Sequence, residues 1–172
     1  MDLIANRRSA VAAATLGLAA MLVQTRPVRA QDVKGCAPGA AEAAAFAVHD
    51  RYVAAANSDD PDAFSAVIAE DYIQHSGRSQ SGLAAFIANS RAVRAIFPDW
   101  HLDVQDRIFG DGKLVARNIF TGTQRGKFRG FEPTGKVVTL KTIDIWRIGD
   151  GKFVEHWDVV DFADVEKQLR GD

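Results

Sequence analysis

Two hydrophobic rhythms divide the chain. From Ala40 to Asn57, Phe46, His49, Tyr52, Val53 and Ala56 recur at spacings of three and four, which predicts a helix with one buried stripe. Ser58-Asp59-Asp60-Pro61 interrupts it. Asp60 can cap a second, short helix whose first position suits Pro61, with Phe64, Val67 and Ile68 on one side. Tyr72 to His75 reads as a brief extended piece. Ser81-Gly82 opens a third helix through Leu83, Phe86, Ile87, Val93 and Ile96, ended by Pro98. Beyond Pro98 the rhythm is that of strands. Trp100–Phe109, Lys113–Thr123, Lys136–Ile148 and Lys152–Asp161 are long runs rich in β-branched and aromatic residues. Helices first and strands after predict an α+β fold, with three N-terminal helices packed on a strongly curved antiparallel sheet.

Two of the strand connections are nearly identical, Gly110-Asp111-Gly112 and Gly149-Asp150-Gly151, and each fits a three-residue hairpin loop. In the last hairpin that loop sets Asp144 opposite His156 and Thr142 opposite Asp158, all on one sheet face with Leu140, Trp146, Val154 and Val160. A two-residue loop would move Asp144 away from His156. The remaining connection, Gln124–Gly135, is long, carries Arg125, Lys127, Arg129 and Phe131, and should overhang something.

The N-terminus follows other rules. Arg7 and Arg8 precede an uncharged stretch from Ser9 to Val23, and Val28-Arg29-Ala30 closes it with a small-residue cleavage pattern. Residues 1–30 are therefore expected to be a cleaved export signal, residues 31–39 a flexible lead-in and residues 40–172 the folded domain. The arginine pair raises the twin-arginine route, with the general secretory route beside it. The destination is periplasmic or secreted. Cys36 is the single cysteine, leaving a free thiol or an intermolecular link.

Of 172 residues, 47% are hydrophobic and 25% charged, an ordinary globular balance. Arg7, Arg8, Arg26, Arg29 and Asp2 leave with the signal, so the domain is more acidic than the whole chain's formal −1. A mildly acidic domain without a basic stripe predicts no nucleic-acid partner. Without the signal no membrane association is expected either. The sequence has no phosphate-cradling glycine loop, nucleophile elbow, Cys-x-x-Cys or His-Glu-x-x-His. What remains is a set of polar side chains in apolar strands. Asp158, His156 and Asp144 are the catalytic candidates, because two carboxylates and an imidazole among apolar groups suit acid–base chemistry. Thr142 and Trp146 share their face and are candidate ligand contacts. His75 is placed at the pocket mouth, and Arg125 in the long loop is placed to meet an anionic ligand. His75, His156, Asp144 and Asp158 match a two-histidine, carboxylate metal set in type, but nothing in their spacing favours an ion, and no metal is expected. Ile143, Ile145, Trp157 and Val159 on the opposite face need cover and predict a homodimer.

Tyr72-Ile73-Gln74-His75, Gly122-Thr123-Gln124-Arg125-Gly126, Gly130-Phe131-Glu132-Pro133-Thr134-Gly135-Lys136 and Gly151-Lys152-Phe153-Val154-Glu155-His156-Trp157-Asp158 together resemble SnoaL-like polyketide cyclases, also called ester cyclases, of the nuclear transport factor two superfamily. The resemblance spans roughly residues 40–165. It implies a cone-shaped α+β barrel with a deep apolar pocket, dimerised through the sheet's outer face. It also implies ring closure by intramolecular aldol condensation without metal or organic cofactor. An aspartate on the last strand is the family's general acid/base, and Asp158 stands at that place. Asp144 stands where those cyclases carry an assisting histidine, and Gln124 where many relatives carry one. Two functions are open on these residues: a cofactor-independent cyclase, lyase or isomerase acting on a small carbonyl compound, and an exported binding protein using the same pocket without turnover.

Overall fold

The computed structural model describes residues 39–171. The expected signal segment, most of the lead-in and Cys36 lie outside the described residues. Helix α1 spans Ala40–Ala56 and buries Ala45, Val48, His49, Tyr52 and Ala55; of the predicted stripe His49 and Tyr52 are buried, while Phe46, Val53 and Ala56 are half-buried at its edge. The second helix is a 3-10 turn, Pro61–Ala66. Asp60 caps it, its side chain accepting from the Asp62 amide at 2.9 Å. Strand β1 covers Ile68–Gln74, α2 Leu83–Ile96, β2 His101–Gly110, β3 Lys113–Thr123, β4 Val137–Gly149 and β5 Lys152–Val160. A C-terminal helix α3, Phe162–Arg170, follows, which the sequence reading did not include. Asp161 caps it, accepting from the Asp164 amide, and it buries Val165 and Leu169.

The five strands form one sheet in the order β1-β5-β4-β3-β2. It is antiparallel except at one edge, where β1 runs parallel to β5. The sheet curves around the helices as the expected cone.

Both tight hairpins correct the expected loops. Gly110 pairs with Lys113 and Gly149 with Lys152, so each loop has two residues, Asp-Gly. Asp111 and Gly112 have φ of 51° and 67°, and Asp150 and Gly151 have 48° and 71°. Two successive left-handed residues make the turn whose twist matches the flanking strands. A two-residue loop by itself would have turned the acidic cluster apart. The ladder slips by one residue between Phe153 and Glu155, however, leaving Val154 as a bulge. That slip restores the parity, so Asp144 pairs with Asp158 and Trp146 with His156. Thr142, Asp144, His156 and Asp158 stay on one face, paired two residues further along than predicted, while Val154 leaves that face as the bulge.

Two apolar clusters fill the cone. One joins α1, the 3-10 turn and the sheet through Tyr52, Phe64, Leu114, Trp146 and Phe153. The other joins the end of α2, α3 and β4 through Phe97, Leu140, Val165 and Leu169. Trp100 packs flat on Phe120 in the second cluster. It crosses β3 at Gly122, where a Cβ would stand 2.6 Å from the Trp100 ring.

Candidate active site

A cavity of about 400 Å³ opens between the two clusters and is lined by members of both. Phe97, Trp100, Phe120, Phe128, Leu140 and Phe162 make much of its wall aromatic or aliphatic. Against this wall the inward faces of β4 and β5 set Thr142, Asp144, His156 and Asp158, and the segment after β1 adds Ser76, Arg78 and Ser79.

Asp144 is buried and occupied on both oxygens. Its Oδ2 accepts from Asn118 Nδ2 at 2.8 Å and from the Thr142 hydroxyl, and its Oδ1 faces His156 Nε2 at 3.0 Å. The other imidazole nitrogen, Nδ1, lies 3.0 Å from Gln74 Nε2. The Gln74 oxygen accepts from the Ser76 amide, which turns the Gln74 amide nitrogen toward the ring. An imidazole that accepts from Gln74 at Nδ1 donates from Nε2 to Asp144. Trp146 stacks on its face, centroids 5.0 Å apart and planes 6° from parallel. His156 is therefore locked in position and tautomer.

Asp158 is held differently. Its Oδ2 accepts from Arg78, while its Oδ1 is buried and has no hydrogen-bond partner among the described residues. That leaves Oδ1 able to accept a proton or a hydrogen bond. Tyr52 also lines the cavity. Burial first, and the Asp144 and Asp158 charges after it, push its phenol far above the usual range, so it stays a neutral hydroxyl.

The ligating atoms of Asp144, His156 and Asp158 lie within 4.8 Å of one another, close enough to hold an ion. An ion held there would displace the bond between His156 Nε2 and Asp144 Oδ1; in this structure those two atoms are joined to each other, and the outer atoms of both groups are held by Gln74, Asn118 and Thr142.

The structure brings Asp158, His156, Asp144 and Thr142 together as expected and places three other candidates elsewhere. Trp146 is fully buried behind His156 and does not line the cavity. It acts on the site only as the surface against which the imidazole stacks. His75 points to the outer face of the sheet, stacked on Trp157 at 4.4 Å and 3.1 Å from Glu155 Oε2, because it lies one residue past Gln74 on the alternating strand. Arg125 is exposed at the base of the long loop, its amide bonded to the Ile96 carbonyl, and stays outside the cavity lining. Sequence reasoning missed Arg78, Gln74 and Asn118. Gln74 was within reach, being the alternation partner of Tyr72. Arg78 sits in an irregular turn that gives no periodic signal.

The model for SnoaL-like polyketide cyclases matches residues 46–169. This chain belongs to that family. Among solved structures, the SnoaL-like chain is similar to TsrD from Streptomyces laurentii, with 28% identity, 74% of this chain and 95% of that one covered, and a TM-score of 0.69. It is also similar to AclR from Streptomyces galilaeus, described as a candidate hydroxylase, at 28% identity, 74% and 85% coverage and a TM-score of 0.68. A SnoaL-like polyketide cyclase from Agrobacterium tumefaciens shares the fold at 20% identity, 71% and 94% coverage and a TM-score of 0.63. No curated protein sequence matches the chain significantly.

Proposed function

We propose that this SnoaL-like protein is a cofactor-independent cyclase, lyase or isomerase that removes an acidic proton next to a carbonyl, with Asp158 as the base. The observation that carries the reading is the unpartnered, buried Oδ1 of Asp158 in the wall of an apolar cavity. An oxygen without a donor is free to take a proton, and one fixed at its other end by Arg78 is already aimed. Asp144 suits the opposite role. Both its oxygens are engaged, so it holds His156 and Thr142 in place and accepts nothing from the substrate. The aromatic lining suits a flat, ring-bearing carbonyl compound of polyketide type.

The test is Asp158→Asn, which keeps shape and removes the base. Assayed on a panel of aromatic 1,3-dicarbonyl compounds, turnover should fall by about two to four orders of magnitude with little change in ligand affinity. Asp144→Asn and His156→Gln should cost less. Full activity of Asp158→Asn would remove the mechanism. Binding without turnover, weakened alike at all three positions, would make the protein a binding module instead.

A further inference from the structure

We infer that Arg78 is a catalytic residue, the group that receives the enolate oxygen when Asp158 removes the proton. The inference rests on the acid–base reading above and adds the half of the reaction that reading leaves without a residue. Proton removal beside a carbonyl puts negative charge on oxygen, and in an apolar cavity that charge needs a donor already in place.

The candidate donors can be taken in turn. The Thr142 hydroxyl and His156 Nε2 are both committed to Asp144, and Gln74 Nε2 to His156; the Tyr52 phenol and the Ser76 and Ser79 hydroxyls also line the cavity, but none brings a positive charge to match an oxyanion. Two cations line the cavity, Arg78 and Arg94. Arg94 is tied to the far wall, donating to the Ala56 carbonyl at 2.7 Å and lying 3.5 Å from Asp59. Among the described residues Arg78 donates from Nη2 to Asp158 Oδ2, and its guanidinium otherwise rests 5.5 Å from the centroid of the Phe162 ring. A guanidinium has five N–H donors in a rigid fork, so most remain to be used. They lie beside the carboxylate whose other oxygen is free. A carbonyl compound that presents its C–H to Asp158 Oδ1 and turns its oxygen to the Oδ2 side meets Arg78 there.

The step balances without an added reactant. The C–H bond breaks and its proton passes to Asp158 Oδ1. The electron pair left behind moves through carbon to the carbonyl oxygen, whose charge the protonated guanidinium matches. When the enolate carbon attacks a second carbonyl of the same molecule, a carbon–carbon bond forms. The proton on Asp158 then goes to the new alkoxide.

The probe is 4-nitrophenol, whose phenolate mimics an enolate and absorbs in the visible, bound to Asp158→Asn, which mimics the protonated base. Nitrobenzene, the same ring without the hydroxyl, reports whether the cavity is intact. The Asp158→Asn protein should hold 4-nitrophenolate at least about tenfold more tightly than it does after Arg78→Gln is added, with nitrobenzene affinity equal in both. Arg78→Lys, which keeps the charge and loses the fork, should fall between them. On the turned-over substrate, Arg78→Gln alone should lower kcat by about two to three orders of magnitude and change KM little. Nitrophenolate bound equally with and without Arg78 would overturn the inference while leaving Asp158 as the base. Turnover unaffected by Asp158→Asn would instead remove the acid–base reading itself.

Discussion

His49 shows how a buried side chain outside the site still answers to pH. It is fully buried on α1, packed against Trp146 at 5.3 Å and Tyr52 at 5.9 Å, and neither ring nitrogen has a hydrogen-bond partner among the described residues. Burial, and next to it the Arg107 charge, pushes its pKa from 6.5 down to about 4, while Asp50 and Asp144 pull weakly the other way. Between those values the unfolded chain binds a proton that the folded chain refuses. Stability should therefore be highest above about pH 6.5 and fall by about 3 kcal/mol as pH drops to about 4. His49→Leu should lose little at neutral pH, because no hydrogen bond is broken, and should flatten this part of the profile in urea titrations. An unchanged acid slope in the variant would refute the assignment. Asp99 acts lower on the scale. Hydrogen bonds from the Thr123 hydroxyl and amide hold its carboxyl below its usual 3.8, so its contribution is present above that value and is lost only as pH falls further.

The long β3–β4 connection owes its shape to one residue. Gln124 is fully buried and donates from Nε2 to the carbonyls of Gly126 at 2.7 Å and Glu132 at 3.1 Å, while its Oε1 accepts from the Thr134 amide at 2.7 Å and from the Thr134 hydroxyl at 2.6 Å. Through this knot the loop presents Phe128 to the cavity and Phe131 to the second core cluster. Gln124→Leu takes the partners from those part-buried carbonyls and from the Thr134 amide, which should cost about 1–3 kcal/mol. It should also expose residues 125–135 to limited proteolysis and weaken ligand binding. Protease resistance equal to that of the parent would count against the knot. The length of the connection was legible as an overhang, since Phe131 and three basic residues do not suit a bare turn. Its anchor was not, because a buried glutamine reads like any other polar loop residue. The hairpin ends divide in the same way. Asp-Gly announces a turn, but nothing in Phe153-Val154-Glu155 announces the bulge that resets the register. The site face survived because that bulge compensates for the shorter loop. Helix α3 had a readable signal in the Asp161 cap and the spacing of Phe162, Val165 and Leu169.

Assembly of the elements into one sheet depends on contacts far apart in sequence, and here the parallel β1–β5 pairing was beyond a pattern reading, while the curved meander of the last four strands was not. The outer face of that meander carries the last consequence. Pairing aligns Ile108, Val115, Ile145 and Trp157 in one row across four strands, and Arg117, Ile143 and Val159 in the next. Ile108 is 65% exposed, Val159 71% and Ile143 41%, so this face sets exposed apolar side chains close together, with the exposed Asp106 and Arg117 completing the row of Ile143 and Val159. The helices already occupy the other side. We propose that a second copy of the chain covers these rows, an isologous contact in which the apolar rows of both copies meet. Native mass spectrometry of protein from its own host should give a dimer, and its mass should correspond to chains that begin at Gln31 if the proposed signal is cleaved after Ala30. Ile143→Lys together with Val159→Lys should yield monomers, because two charges per copy would be buried unpaired in the contact. The double variant should keep its cavity and bind nitrobenzene as before, since both side chains point away from the site. A parent protein that sediments as a monomer at micromolar concentration would remove the dimer, and chains retaining Met1–Ala30 would remove the cleavage.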